Sequence, residues 1–500
     1  MSSPRRVAVP HWGLRIKNLR VKNMFRMRTF RLGLLVFGLS CYASAQNGPP
    51  SQPETPVPAP AFGQNAPVLN PENPPVTGLD EPGLNLHPSS RSFFSPALQV
   101  SEAVDTNGSG QLGKNNSLEE TTRVLGAFDL QQFWPKSDLF LEYLGGGAFY
   151  NSPYHADQMH AAGLEAVTRW RTGQATLRDS FSYLPDGSFQ ISTFGGVPGF
   201  GLATGGLGTG EEGGGLPGAQ RFGTGEFGAI GTIPRLSNTA ILDAVQAINP
   251  RSAITVAGGF SNAHFYDSAE CANPLNTCLI NSDQVTAQAG YSHLLARHDQ
   301  IGVLYGFQLL QFPQTTGGQI YNHVANVRWS HTISGRLSLI VGLGPQYTQT
   351  EVNGNTSNWS LSGRAQLRYK FGRGSLVASW EKFTSAGSGF FAGADTQVAG
   401  LAYNRPLGRT WDFYGGLGYS HNKRLQVALL GVDASSYDEG SAGVVLRKHF
   451  GRAYDFFAGY RFSEVGFNTP VTLNGVTGKT SQRQVGSIGV EWHPKPTRIE

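Results

Sequence analysis

Residues 336–371 alternate between apolar and polar with a period of two. Leu337, Leu339, Val341, Leu343, Pro345 and Tyr347 share one face, while Ser338, Gly342, Gly344, Gln346 and Thr348 fill the other. After a polar break at 351–357 the alternation resumes, with Trp359, Leu361, Gly363, Ala365, Leu367, Tyr369 and Phe371 set against Asn358, Ser360, Ser362, Arg364, Gln366, Arg368 and Lys370. Successive side chains on a strand point to opposite faces, so this pattern describes strands with one apolar and one wet face. A soluble sandwich would bury the apolar face under a second sheet. A membrane barrel turns it to lipid, gathers aromatic residues at its two ends and lines a wet interior with the other face. The small and polar residues on one face, with Trp359, Tyr369 and Phe371 at strand ends, favour the barrel.

The same period recurs from about residue 94 to the end. Val124, Gly126, Phe128 and Leu130 alternate with Arg123, Ala127, Asp129 and Gln131, and later Tyr454, Phe456, Ala458, Tyr460 and Phe462 alternate with Asp455, Arg461 and Ser463. Connection lengths alternate too. Short links are expected at 134–137, 171–173, 249–252, 296–300, 333–336, 371–374, 406–409 and 450–453. Between them lie longer Gly-, Asn- and Ser-rich links at 107–118, 151–157, 185–235, 265–282, 313–318, 351–357, 384–394, 421–436 and 466–481. Short turns on one rim and long loops on the other are a barrel property that a sandwich has no reason to share. The links predict an all-β, transmembrane, antiparallel up-and-down barrel of about 18 strands, or 16 if the weakly alternating segments 236–248 and 396–404 are not strands. The last strand is expected at 482–493.

Composition fits an exported barrel. A mean hydropathy of −0.24, with 65 Gly and 29 Pro, argues against a helical membrane protein. The longest apolar stretch, 32–45, falls short of the roughly 20 residues a spanning helix needs. It reads instead as a signal peptide, because Arg26, Arg28 and Arg31 precede the apolar run and Ala43-Ser44-Ala45 offers a small-x-small cleavage site before Gln46. The region before that run is long, so Met24 or Met27 is an alternative start, and Arg5-Arg6 stands too far away to act as a twin-arginine signal. Cys41 follows Gly38-Leu39-Ser40, the wrong order for lipid attachment.

Removing the leader removes nine cations and no anions, which leaves 30 Lys and Arg against 34 Asp and Glu. The basic character therefore belongs to the leader and gives no support to nucleic-acid binding. Cys271 and Cys278, close together in one link of an exported chain, are expected to form a loop disulfide. Prolines crowd residues 46–88, so that stretch should be extended or disordered. The expected organisation is a leader at 1–45, a Pro-rich periplasmic linker at 46–93, a barrel at 94–493 and a short tail at 494–500.

On these features the chain resembles porin-type outer-membrane β-barrels of Gram-negative bacteria. The resemblance rests on period, link sorting and signal peptide, covers about 94–493, and is specific for architecture rather than for solute. It implies outer-membrane lipid and the barrel-assembly machinery as partners, small hydrophilic solutes as cargo and a homotrimer as the common assembly. Many such barrels end on an aromatic residue used in assembly, whereas here Trp492 is followed by eight more residues. The function expected is a passive diffusion channel. The alternatives are a surface structural or adhesion barrel acting through its long loops, and a polysaccharide-export barrel.

In a wide barrel the lumen lining governs passage. By the alternation Arg328, Arg364, Arg368, Lys370, Arg447 and Arg461 point inward, and Glu142, Glu165, Glu381, Asp412 and Asp455 supply acid. Either the basic strip biases the pore toward anions, or the acids pair with it and leave the interior near neutral. The link 187–231 holds 17 Gly, and Phe194, Phe200, Phe222 and Phe227 could anchor it inside as a constriction. Enzyme readings find little: no Ser, Asp and His spacing stands out, and His323 falls on the lipid-type face. Gly478-Lys479-Thr480 lacks the first glycine of a phosphate loop, because Leu473 stands there. No metal-ligand cluster is visible and no cofactor is expected.

Overall fold

In the computed structural model the described residues are 92–107, 112–113, 118–151, 154–184, 235–266, 280–313, 318–351, 356–372, 374–386, 391–425, 434–451, 453–473, 476–492, 494–495 and 497–499. They form β1 (Phe93–Asp105), β2 (Glu119–Phe133), β3 (Ser137–Asn151), β4 (Tyr154–Trp170), β5 (Gly173–Leu184) and β6 (Arg235–Asn249). Next come β7 (Ser252–Phe265), β8 (Ser282–Ala296), β9 (Asp299–Gln311), β10 (Gln319–Ser334), β11 (Leu337–Thr350) and β12 (Thr356–Phe371). The series ends with β13 (Gly374–Ser385), β14 (Ala394–Pro406), β15 (Trp411–Arg424), β16 (Ser436–Phe450), β17 (Tyr454–Leu473), β18 (Val476–Trp492) and the two-residue β19 (Thr497–Arg498).

Each long strand pairs antiparallel with its sequence neighbours, and β1 pairs with β18 from Leu98↔Trp492 to Asp105↔Val485, so the sheet closes on itself. Eighteen long strands therefore make one closed barrel, including the two weakly alternating segments, which are β6 and β14. Closure pairs the first long strand with the last, the upper β12–β13 seam leaves an edge open, and near-complete pairing is what lets sheet cross a bilayer. No described helix is long and apolar enough to cross a membrane.

The wall sorts its side chains by face. Leu98, Val100, Val124, Leu242, Val256, Val303, Val327, Leu361, Leu417, Ile488 and Val490 are exposed on the outside. Gln99, Arg123, Asp243, Gln288, Asn322, Arg328 and Arg364, at the alternate positions, are buried inside. Outward aromatics gather toward the short-link rim at Trp134, Trp170, Trp329, Trp411, Tyr454 and Trp492. A second group, with Phe149, Trp359, Tyr419 and Tyr460, lies farther up the wall. Trp359 and Tyr369 stand ten residues apart on β12. At about 3.3 Å rise and a tilt of about 40° that separation spans roughly 25 Å, the height of the apolar band of a membrane barrel. At the lower rim Lys448 lays its ammonium over Trp411 and Phe450, 5.1 and 4.7 Å from the ring centres.

Two expectations about links need correction. The 151–157 link is shorter than expected, because β3 runs to Asn151, β4 starts at Tyr154 and the two residues pair. The 466–481 link is largely strand: β17 and β18 continue past Gly466 through a register shift and end at Leu473↔Val476. Above the membrane a hairpin needs only its ladder and no lipid-facing alternation, so its sequence reads as loop. The interior is also less uniformly polar than expected, since Leu125, Ile241, Val245, Leu304, Val324, Ile340 and Phe457 are buried among the inward positions.

The expected leader, the Pro-rich stretch, the expected disulfide of Cys271 with Cys278 and the Gly-rich 187–231 link lie outside the described residues.

Candidate functional site: the barrel interior

Three layers of different chemistry line the interior. Nearest the short-link rim are ion pairs. On one side Arg169 pairs with Asp138 and Arg178 with Asp243, across β3 to β6. Glu165 sits among them in register with Arg178 and is 2% exposed. On the other side Arg447 donates to Asp455 at 3.0 Å and to Glu491 at 3.2 Å, tying β16 to β17 and β18. His449 bridges the same Asp455 through Nδ1 and Asp412 of β15 through Nε2, each at 2.7 Å. Buried charges survive only when paired, so these strands supply each cation with a carboxylate one or two strands away.

Midway up, Arg364 lies 3.3 Å from Glu381 of β13 and donates to Gln366 at 2.8 Å. Arg328 and Arg368 are buried at inward positions, Arg461 is half-buried on β17, and Lys370 lies near the lower end of β12. Glu142 falls in β3 in register with Asp129 and Gly163. Of the predicted lining residues the structure thus joins Arg364 with Glu381, Arg447 with Asp455, and Asp412 with Asp455 through His449. Sequence reasoning missed Glu491, Asp243, Arg178 and Asp138. The alternation rule reaches each of them, but no motif marks them out.

Higher up, on β9 to β15, lies a layer of amides and hydroxyls, bordered by the buried Glu439 of β16 in register with Ser420. Asn322 donates to Gln308 at 3.1 Å, Thr348 to Asn322 at 3.1 Å, and Gln346 to the hydroxyl of Thr384. Farther round, Thr396 donates to Asn422 at 2.8 Å, and Asn422 to Ser420 at 3.1 Å.

At the long-link rim the lining turns apolar. Leu112 from the β1–β2 link, Phe265 of β7, Phe391 from the β13–β14 connection, Ala394 of β14, Ala434, Tyr437 of β16, and Val465, Phe467 and Val471 of β17 form one buried cluster. A second gathers Leu310, Phe312, Ile320, Ala386 and Ala392, with Ile280 and Leu425 against it. Strand β7 is far around the circumference from β14, β16 and β17, so the first cluster joins wall segments that no ladder connects. Among the described residues no group of three or more His, Cys, Asp and Glu side chains could hold a metal.

A closed antiparallel barrel with a lipid-facing exterior, two aromatic groups and a charged interior defines the class of Gram-negative outer-membrane β-barrels. No protein-family model matches the chain, and no curated protein matches it. Solved structures similar to it include Pseudomonas aeruginosa OpdQ, at 11% identity over 82% of this chain and 100% of that one, with a TM-score of 0.40. The outer membrane protein OpdK from the same organism is similar at 14% identity over 82% and 100%, again with a TM-score of 0.40. The FrpB iron transporter from Neisseria meningitidis is similar at 8% identity over 81% of this chain and 83% of its own, with a TM-score of 0.40. At identities this low the activities of those proteins do not transfer to this chain.

Proposed function

We propose that the chain is a porin-like channel for small hydrophilic solutes, which diffuse passively through its interior. The observation that carries this reading is the charged interior inside an apolar wall: a barrel serving only as an anchor has no use for Arg178, Arg328, Arg364, Arg368 and Arg447 inside. The pairing of Arg364 with Glu381, and of Arg447 with Asp455 and Glu491, supports a weak ion preference rather than a strong anion field. Planar-bilayer recording of residues 46–500 in a salt gradient tests it. Discrete conductance steps with a reversal potential near zero are expected, and the Arg364→Glu, Arg368→Glu variant should shift selectivity toward cations. A chain shown to be folded that passes no current under any condition overturns the reading.

The apolar clusters at the long-link rim favour a second reading. A barrel whose mouth stays sealed would act from its surface, as a structural or adhesive protein, and recording distinguishes the two.

A further inference from the structure

The β12–β13 seam closes only part-way up the wall. Pairing starts at Phe371↔Gly374 and stops at Gly363↔Lys382. Above that point β12 continues through residues 356–362 paired only with β11, and β13 continues through Phe383, Thr384 and Ser385 paired only with β14. The tip of β13 lies inside the barrel instead. Gln346 of β11 donates to the Thr384 hydroxyl, and Gln308 of β9 donates to the Thr384 carbonyl at 3.3 Å, contacts that cross strands the ladder does not join.

The rest of the tip is seated in the same way. Ala386 and Ala392 pack with Leu310, Phe312 and Ile320. Phe391 is 1% exposed, with its ring centre 5.4 Å from that of Tyr437 and with Phe265 and Phe467 in the same cluster. Gly393, at φ 86°, lies against Ile320 so closely that a Cβ would run into Cδ1 of that side chain. The amide of Gly393 donates to Ala386 at 3.2 Å, and its carbonyl accepts from Leu425 at 3.1 Å, so the tip keeps its own ladder to β15.

Resting on the channel reading above, we propose that the tips of β13 and β14, Phe383–Ala386 with Phe391–Ala394, are a gate with two seats: one inside the mouth, as described, and one zipped onto the free upper edge of β12. Continuing the observed register by three steps sets Phe383 opposite Ser362, Thr384 opposite Leu361 and Ser385 opposite Ser360. The two seats satisfy the same groups differently. Inside, Thr384 is held by two glutamines and Phe391 by an apolar pocket. Zipped, the backbone groups of 360–362 and 383–385 satisfy one another and Phe391 leaves the mouth. Moving the tip thus exchanges apolar burial for ladder hydrogen bonds, the trade that makes a packed element bistable rather than continuously deformable.

The test uses two cysteine pairs in the mature chain with Cys271→Ala and Cys278→Ala. Ser360→Cys with Ser385→Cys can bridge only in the zipped seat. Ile320→Cys with Gly393→Cys bridges only in the inner seat, where a Cβ at 393 would lie 3.7 Å from Cγ1 of Ile320, within disulfide reach. Cross-links are read by mass spectrometry after oxidation, independently of conductance. Both are expected to form. The zipped bridge should raise mean current several-fold and the inner bridge should hold it at baseline, each reversed by reductant. If the Ile320 pair bridges while the Ser360 pair stays reduced, the tip is a fixed plug and the proposal is overturned. If both bridge and neither state conducts, the two seats stand and the channel reading falls. Phe391→Ala serves where a cysteine pair prevents folding: it should raise mean current several-fold, and unchanged current overturns the gate.

Discussion

Arg447 shows what a single interior residue costs and supplies. It is 1% exposed and divides one guanidinium between carboxylates on two strands. Replacing it by Met leaves Asp455 and Glu491 facing each other in a buried site, so Arg447→Met should destabilise the barrel by about 3–5 kcal/mol. Urea titration in liposomes, followed by tryptophan fluorescence, measures the loss. Glycines divide by a different rule. A Cβ at Gly344 would strike the carbonyl oxygen of Ala325 on the neighbouring strand, whereas Gly335 has open space around it. Gly344→Val should therefore cost about 1–3 kcal/mol through overpacking, while Gly335→Ala leaves the unfolding midpoint unchanged in the same titration. Arg447, Asp455 and Arg364 were legible because alternation alone assigns a face. Which of them pair was not, since pairing depends on register between strands, and the missed Glu491 meets Arg447 only because two ladders bring β16, β17 and β18 into step.

At the level of the strand, the lipid face imposes the strictest rule. Val327 is 54% exposed on the outside of β10, two residues from Trp329 of the lower aromatic group. Val327→Arg should cost about 1–3 kcal/mol, between the midplane and interface values, and the deficit should shrink in a thinner bilayer that lets the side chain reach water. Folding titrations in lipids of two chain lengths give both values. Within the membrane the strands were readable almost to the residue, as β11 at Leu337–Thr350 and β12 at Thr356–Phe371 show. Above it they were not. Asn468, Pro470 and Gly478 signal a loop, yet β17 and β18 run on as a hairpin there, because water on both sides removes the period that marks a strand.

At the scale of the whole barrel, closure was implied by link sorting, but the mouth was not. Leu112, Phe265, Phe391, Tyr437 and Phe467 come from five separate parts of the chain, and each looks like an ordinary apolar residue beside a link until the closed wall brings them together. The tail is a second case. Thr497 and Arg498 pair with Phe94 and Phe93, and the amide of Ile499 donates to Ser92 at 3.1 Å, so the last residues lengthen the closure seam. Deleting residues 497–500 removes a few backbone hydrogen bonds worth about 0.5–1.5 kcal/mol each. The temperature at which the folded gel band converts to the unfolded one should fall accordingly.

Two seams of the wall are shorter than the rest: β1 with β18, whose ladder runs only from Leu98 to Asp105, and β12 with β13, from Gly363 to Phe371. They cut the cylinder into an arc of twelve strands and an arc of six. Such a tube has two lines with fewer cross-strand hydrogen bonds than the rest of the wall, and squeezing should open it first along those lines. Lateral pressure from a crowded or thickened membrane would then part the six-strand arc from the larger one, with each arc keeping its own curvature.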